Sequence, residues 1–270
     1  MREPIKVLRG TFGRMSLIRV RRDFVTHAHS EAHVIIWLGG APGLMTVGGR
    51  SACVGPEMAI AINPLEPHSH AFRPAGEPGL FLVFYLDLDW LRAHRPEGAF
   101  AFDDPHLPLS GEQRATAARM RLLLEGGEDP GDLSAYEIER FADSLCRPGQ
   151  AVSAARAFDG RVRDFRIRKA IAMMKHAVGA RPFFDDVVRS VGMSRPHFFA
   201  VFKSQTKLTP NIYLNTLRVE ESVRLLQSGE PLTSIAYQVG FTQQSNFSRF
   251  FRDHVGVTPT AYRSASQHQQ

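Results

Sequence analysis

Four histidines in the first quarter of the chain have the side chains and the spacing to bind a metal ion or to line a polar pocket. One residue separates His27 from His29, so on a β-strand both imidazoles would lie on the same face. His33 follows four residues later, and His68 stands in a proline-rich turn. Neutral imidazoles can bind Zn²⁺, Ni²⁺ or Fe²⁺, but they also line pockets for organic ligands or satisfy strand ends. We interpret the set as the lining of an organic-ligand pocket and keep the metal site as the alternative.

A second chemically distinctive stretch lies between Phe183 and Arg263, where one short pattern occurs twice. The segment 187–194 returns 48 residues later as 235–242, and the Phe, Thr-Pro and Tyr positions that follow return at an offset of 49. In each copy an apolar segment ends at a glycine, and a second segment carries Phe at i and i+4. This arrangement predicts two helix-turn-helix units, each with a second helix that can enter the major groove of DNA.

Each unit carries its own signals for helix ends. Gly192 and Gly240 can adopt the positive φ that closes the first helix, and Ser194 and Thr242 are predicted to cap the second. Between the units, the segment from Thr209 to about Ser228 predicts a spacer helix. Twenty helical residues span about 30 Å, close to the ~34 Å of one DNA turn, so both second helices could enter successive major grooves.

Charge and cysteine content narrow the class of protein. From Arg161 to the C-terminus there are 16 Lys or Arg against 7 Asp or Glu, a net charge of +9, whereas residues 1–160 carry a net charge of −3. A basic C-terminal half fits the neutralisation of DNA phosphates. Cys53 and Cys146 have no metal or redox spacing. The first ten residues lack a signal-like apolar core, so we expect a cytoplasmic location.

The first ninety residues contain short β-type segments separated by Gly- and Pro-rich turns, which favours an antiparallel barrel or jelly roll. Helices are predicted at Ser110–Glu125 and Ser134–Arg147. Each carries an apolar stripe that by default should pack on the barrel: Ala115, Ala118 and Leu122 on the first, and Ile138, Phe141 and Leu145 on the second. The predicted strands are Arg14–Val20, Ala32–Leu38, Leu44–Val47, Arg50–Val54, Met58–Ile62 and Leu80–Leu86.

A specific set of residues recurs through the region from about Arg166 to Arg263: Gly192-Met193-Ser194, Phe202-Lys203, Arg218, Ile235-Ala236, Val239-Gly240-Phe241, Phe247-Ser248-Arg249, Phe251-Arg252, Gly256 and Thr258-Pro259 with Tyr262-Arg263. Through these residues the region resembles the AraC/XylS family of bacterial transcription regulators. The resemblance implies that helices near Ser194–Gln205 and Gln243–His254 are the recognition helices.

The two recognition helices differ in their capacity to read bases. The first has Pro196, Phe199 and Ala200 where many relatives carry polar side chains, although Phe199 and Ala200 could still touch thymine methyl groups. The second is rich in hydrogen-bonding side chains, so we expect more sequence reading there. The predicted DNA-contacting residues are Arg195, Pro196, His197, Phe199, Lys203, Gln243, Gln244, Ser245, Ser248, Arg249 and Arg252.

The resemblance also implies an N-terminal cupin-like barrel that binds a small effector, and Ile62–His68 is similar to its second motif. Cupin enzymes use an H-x-H pair, a carboxylate and a later His to hold a divalent metal, and His33 stands about where the carboxylate would be. In the family a helix pair after the barrel commonly forms a dimer contact, which is the alternative for the stripe Ile138, Phe141 and Leu145. The predicted effector-binding residues are His27, His29, His33, Trp37, His68 and Phe84.

We therefore predict an α+β protein with a cupin-like effector-binding and dimerisation domain at residues 1–147, a linker at 148–163 and an all-α double helix-turn-helix DNA-binding domain at 164–266. It should act as a transcription regulator without catalytic activity, controlled by a small-molecule effector. The predicted partners are promoter DNA, a second copy of the chain and RNA polymerase. The alternative is a metal-dependent cupin enzyme or metal sensor fused to a DNA-binding module.

Overall fold

Alternating apolar residues build most of the strands in the N-terminal half of the protein. The computed structural model of the chain describes residues 6–71, 77–94, 101–126, 132–146, 162–180 and 184–267. Most of the predicted linker, residues 148–161, lies outside these ranges. The strands are β1 (Lys6–Gly10), β2 (Gly13–Val20), β3 (Phe24–His27), β4 (Ala32–Gly39), β5 (Gly43–Val47), β6 (Arg50–Val54), β7 (Met58–Ile62), β8 (His68–Ala71), β9 (Gly79–Leu86) and β10 (His106–Pro108).

The strands form two antiparallel sheets. One has six strands in the order β1-β2-β9-β4-β7-β10, and the other has four in the order β3-β8-β5-β6. The predicted α+β class is confirmed, and so are the six predicted strands, to within a residue at either end. Four strands were not predicted. Two of them, β3 and β8, are short and polar, and they pair with each other through His27 opposite His68.

The two faces of the six-stranded sheet bury different cores. Because side chains alternate along each strand, Ile18, Ile35 and Val83 face the four-stranded sheet and meet Met45 and Val47. The opposite face is covered by α2 (Gly111–Gly126) and α3 (Asp132–Ser144). The N-terminal half therefore has an inner core between the sheets and an outer core beneath the helix pair.

The predicted apolar stripe on α2 is wrong. Ala115, Ala118 and Leu122 are exposed, and the residues of α2 that pack on the sheet are Ala117, Met120 and Leu124.

The second predicted stripe, Ile138 and Phe141 on α3 with Leu145 directly after it, belongs to the outer core. Ile138, Phe141 and Leu145 are 2%, 4% and 0% exposed, and the ring of Phe141 lies 5.5 Å from that of Phe84. The stripe is buried within a single chain, which supports packing on the sheet and not a dimer contact through these residues. A homodimer stays a prediction, and it needs a different surface.

The described residues of the C-terminal half form seven helices, which include two similar helix-turn-helix units. The buried rings Phe198, Phe202, Phe247 and Phe251 are fully enclosed, as expected for core residues. No helix among the described residues is long and apolar enough to cross a membrane. The N-terminal half also contains α1 (Leu88–His94), which precedes α2 and α3 in the chain. The helices of the C-terminal half are α4 (Phe165–His176), α5 (Phe184–Ser190), α6 (Arg195–Thr206), α7 (Pro210–Gln227), α8 (Leu232–Gln238), α9 (Gln244–Val255) and α10 (Pro259–Gln267).

The glycine signals for helix ends are confirmed, whereas neither predicted side-chain cap forms. Gly192 and Gly240 have φ of 64° and 87° and end α5 and α8 as predicted. Ser194 precedes α6 but its side chain makes no capping hydrogen bond, and the residue that precedes α9 is Gln243 and not Thr242. The predicted spacer is α7, whose first turn is capped by Thr209, and its 18 residues span about 27 Å.

The burial of the α3 stripe can be tested with one matched pair of leucine substitutions. Leu145→Ala should lower the free energy of unfolding by about 2 to 5 kcal/mol, because it leaves a cavity in the outer core. Leu122→Ala, on the exposed side of α2 at 68% exposure, should change it by less than about 0.5 kcal/mol. Urea unfolding measures both. If Leu145→Ala instead left unfolding unchanged and dissociated a dimer, the stripe would be an intermolecular seam.

Candidate histidine site and nucleic-acid interface

Three histidines converge at one end of the inner core, although they do not share a strand. His27 ends β3, His68 begins β8, and His29 lies in the connection from β3 to β4. The prediction that the H-x-H pair lies on one strand face is therefore wrong, because the strand ends between the two residues. The imidazoles still meet: one ring nitrogen from each of the three residues lies within 4.8 Å of the other two.

Backbone hydrogen bonds orient two of these rings. The Nδ1 atom of His27 lies 2.6 Å from the carbonyl oxygen of Val25, and that of His68 lies 2.9 Å from the carbonyl oxygen of Glu66. A carbonyl oxygen can only accept, so each Nδ1 carries a proton. In the neutral ring Nε2 then has a free lone pair, which is the form in which histidine binds a metal ion.

Burial keeps the imidazoles neutral. Removal from water is the main cause that lowers the pKa of His27 and His29 well below the usual value, and the nearby His68 and His27 rings lower them further. The same burial lowers the pKa of His33 and His68 to about 3, and that of His70 to about 4. All five rings are uncharged at neutral pH.

The histidines line a small cavity of about 40 Å³ between the sheets. Apolar side chains such as Ile35 and Val83 form its walls, and Tyr85 stacks on His33 with ring centroids 5.3 Å apart. Organic-ligand pockets are typically about 300–1,000 Å³, so this cavity holds a few small atoms and not an organic effector.

Two predicted effector-binding residues do not line the cavity. Phe84 points to the opposite face of β9 and lies in the outer core, because its neighbours Val83 and Tyr85 take the inner face. Trp37 lies farther along β4, where its indole nitrogen donates a hydrogen bond to the carbonyl oxygen of Gly40. Alternation along β9 therefore places Phe84 away from the cavity, contrary to its prediction as a pocket residue.

The C-terminal half closes the open end of this cavity. His254 and Val255 on α9 line it, and the ring of His254 lies 6.2 Å from that of His27. A Cβ atom on Gly256 would lie 2.6 Å from the ring of Phe24, so the approach of α9 to β3 requires glycine at this position. His254 was not predicted, because a contact across such a sequence distance leaves no local signal. His70 was missed because the strand that carries it, β8, was not predicted.

The connection from β3 to β4, which carries His29, is also bonded to the spacer helix. Thr216 donates a hydrogen bond to the carbonyl oxygen of Ala28 at 3.1 Å, and the backbone N–H of Ser30 donates to Glu220 at 3.1 Å. The histidine site therefore lies at the contact between the two halves of the protein.

A buried arginine links the same end of the sandwich to α10. The Arg14 guanidinium donates a hydrogen bond to the hydroxyl of Tyr262 at 3.0 Å and lies 3.4 Å from a carboxylate oxygen of Glu31. It also lies over the ring of Tyr85, 3.7 Å from its centroid. Its charge is thus compensated by groups from both halves.

The first recognition helix, α6, presents four of its predicted contact residues to solvent: Arg195, Pro196, His197 and Lys203. Arg195 is engaged by Asp185 on α5, with nitrogen and oxygen 2.9 Å apart. Phe199 is half-buried against the rings of Phe184 and Phe198, so much of its surface is covered by these contacts and only the remainder is accessible to DNA.

The second recognition helix, α9, presents a more polar surface. Gln243, Gln244, Ser245 and Arg249 are exposed, and Ser245 and Arg249 share a face because they are four residues apart. Ser248 and Arg252 are half-buried, and Arg252 forms an ion pair with Asp253 at 3.5 Å. The arrangement suits hydrogen bonding to base edges in the major groove.

Comparison with known proteins matches the C-terminal region to DNA-binding regulators. Residues 187–265 match a family described as helix-turn-helix domain. The transcriptional activator RhaS of Citrobacter koseri is 31% identical over 101 residues, 37% of this chain and 36% of that protein. The transcriptional regulator MtrA of Neisseria gonorrhoeae is 31% identical over 80 residues, 29% of this chain and 27% of that protein. The chain thus spans about a third of the length of these regulators.

The fold of nearly the whole chain is similar to that of ToxT from Vibrio cholerae. An apo structure of a ToxT variant has a TM-score of 0.60 at 13% identity and covers 95% of this chain and 98% of that one. ToxT bound to (E)-4-(8-methylnaphthalen-1-yl)but-3-enoic acid has a TM-score of 0.57 at 14% identity, with coverages of 93% and 98%. This likeness concerns the fold.

From the exposed polar surface of α9 we predict how one substitution changes the recognition of DNA bases. Arg249→Ala should weaken binding to a cognate duplex by about 1 to 3 kcal/mol, roughly 5- to 150-fold, and should relax sequence preference at one or two base pairs. Arg92→Ala, which removes one equally exposed charge from α1, should change neither quantity. Fluorescence anisotropy with single-base variants of the duplex measures both. Unchanged affinity for Arg249→Ala would show that this face of α9 does not read bases.

Proposed function

We propose that the protein is a sequence-specific DNA-binding transcription regulator of the AraC type, because its residues 187–265 match a helix-turn-helix domain family and its C-terminal region is similar to regulators such as RhaS. Its N-terminal sandwich controls DNA binding in response to a small ligand. The regulator does not catalyse a reaction.

One observation carries the proposal: two helix-turn-helix units present exposed recognition helices, α6 and α9, on either side of the spacer α7. The spacer spans about 27 Å, which is compatible with insertion of the two helices into major grooves about one DNA turn, ~34 Å, apart. The net charge of +9 in this half supplies the attraction to phosphate. The more polar α9 accounts for the larger share of base reading.

Control by the sandwich follows from where the histidine cavity lies. The lining of the cavity includes His254 of α9, and the connection from β3 to β4 beside it is hydrogen-bonded to α7. A ligand that moves this connection therefore also moves elements of the DNA-binding half. Such control needs only a different ligand affinity in two arrangements of the halves. ToxT structures contain an unsaturated fatty acid or a naphthalenyl butenoic acid. A molecule of that size would require the cavity here to open considerably.

Selection from a random DNA pool tests the proposal directly. The purified full chain should enrich a bipartite sequence whose two parts are separated by about one helical turn, 10–10.5 base pairs centre to centre. The Arg249→Ala variant should enrich a sequence with a degenerate second part and an intact first part. Enrichment of no motif by the folded protein would contradict the proposal, as would a motif that Arg249→Ala leaves unchanged.

A further inference from the structure

We propose that His27, His29 and His68 bind one divalent transition-metal ion, and that this ion is the ligand through which the sandwich communicates with the second helix-turn-helix unit. The binding of the ion stands on the geometry of the cluster alone. Its regulatory consequence rests on the proposed function.

The geometry of the three donors fits an ion after a small closure. Zn²⁺ and similar ions bind imidazole nitrogens at about 2.0–2.1 Å in tetrahedral sites, which places neighbouring nitrogens about 3.3 Å apart. The three nitrogens here lie within 4.8 Å of one another, so side-chain shifts of about an ångström bring them into position. The rings of His27 and His68 are already oriented by the carbonyl oxygens of Val25 and Glu66.

The chemistry of the cavity selects the class of ion. Its lining contains imidazoles, a phenol and apolar groups, and it contains no carboxylate. Nitrogen donors suit Zn²⁺, Ni²⁺, Co²⁺ or Fe²⁺, whereas Mg²⁺ and Ca²⁺ require oxygen ligands. The two acidic groups nearest to these histidines along the chain are engaged elsewhere: Glu31 by Arg14, and Glu66 by the backbone and side-chain N–H groups of Asn63. A volume of about 40 Å³ accommodates an ion with a water molecule and excludes an organic effector.

Three protein ligands leave a fourth coordination position. His33 lies on one side of the site, with its ring centroid 4.7 Å from that of His68, and His254 lies on another, 6.2 Å from His27. A water molecule or either of these imidazoles can complete a tetrahedral ion. Coordination of the ion by His254 would act directly on α9, because His254 is a residue of this helix.

Closure of the cluster moves groups that hold the two halves together. His29 shares its chain connection with Ala28 and Ser30, whose backbone groups bond Thr216 and Glu220 of α7. A shift of His29 toward an ion therefore changes contacts to the spacer helix, and a shift of His27 changes the packing of His254. The ion site and the position of the DNA-binding half are mechanically linked through these residues.

The direct test is titration of the tag-free full chain, freed of metal by a chelator, with Co²⁺. Saturation at one ion per chain, with the visible absorption of nitrogen-coordinated Co²⁺, is expected. At an ion concentration roughly 100 times the dissociation constant, the unfolding midpoint should rise by about 5 to 10 °C. Absence of saturable binding at one equivalent would overturn the proposal.

Single substitutions locate the ion. His29→Ala and His68→Ala should each weaken Co²⁺ binding by more than about tenfold, since loss of even an outer-shell partner typically costs that much. His106→Ala, which removes an exposed imidazole on β10, should leave binding unchanged. His29→Gln and His68→Gln keep a polar side chain and serve where the alanine variants lose their fold by circular dichroism. Wild-type binding by folded His29 and His68 variants would overturn the assignment.

Failure of the ion site and failure of the proposed function give different results. A protein that enriches a DNA motif but binds no Co²⁺ contradicts the ion site and leaves the regulator intact. A protein that binds one Co²⁺ through these histidines but enriches no DNA motif contradicts the proposed function and leaves the ion site intact.

Discussion

The apolar contact between the open end of the β-sandwich and the second helix-turn-helix unit is the interaction on which the rest of the structure depends. The inner core of the sandwich and the core of this unit form one continuous cluster, which joins Val20 and Phe81 to Phe251 and Tyr262. Removal of the unit would expose buried imidazoles and leave the Arg14 guanidinium without its tyrosine partner. Separation would also return the apolar side chains of this shared cluster to water, so the two halves stabilise each other.

The same contact makes the two DNA-binding units unequal. The first unit has a separate core around Phe198 and Phe202, which meets the N-terminal half chiefly through Ala28 and Leu65. The second unit is packed on β3 and bonded to Arg14. The unit with the more polar recognition helix is therefore the one whose position the sandwich determines. Control of α9 acts on the part of the protein that we expect to read most of the DNA sequence.

Sequence periodicity was sufficient to predict the elements whose buried face is determined by residues close together in the chain. The helix-turn-helix units, the spacer and the six apolar strands follow from alternation, glycine positions and the repeat, because each of these signals acts within a few residues. Strands β3 and β8 escaped prediction because their polar side chains, among them His27, His68 and His70, face an enclosed site and not solvent. Apolar alternation cannot indicate a strand that buries imidazoles.

The candidate site was only partly visible in the sequence for a related reason. His27, His29, His33 and His68 were identified by residue type and spacing, and all four line the cavity. His254 contributes from a helix more than two hundred residues away, and only the packing of the halves brings it there. The volume of the cavity, which changes the preferred ligand from an organic molecule to an ion, is likewise a property of three-dimensional packing.

The most direct test of the account is reciprocal linkage between the ion and DNA. The affinity for the selected duplex is measured with and without saturating Co²⁺, and the affinity for Co²⁺ is measured with and without saturating duplex. Coupling through the shared interface predicts that both ratios differ from one and are equal, with typical coupling of about 5- to 150-fold. Ratios of one in both titrations, with ion and DNA each bound, would contradict the claim that the histidine site controls the DNA-binding half.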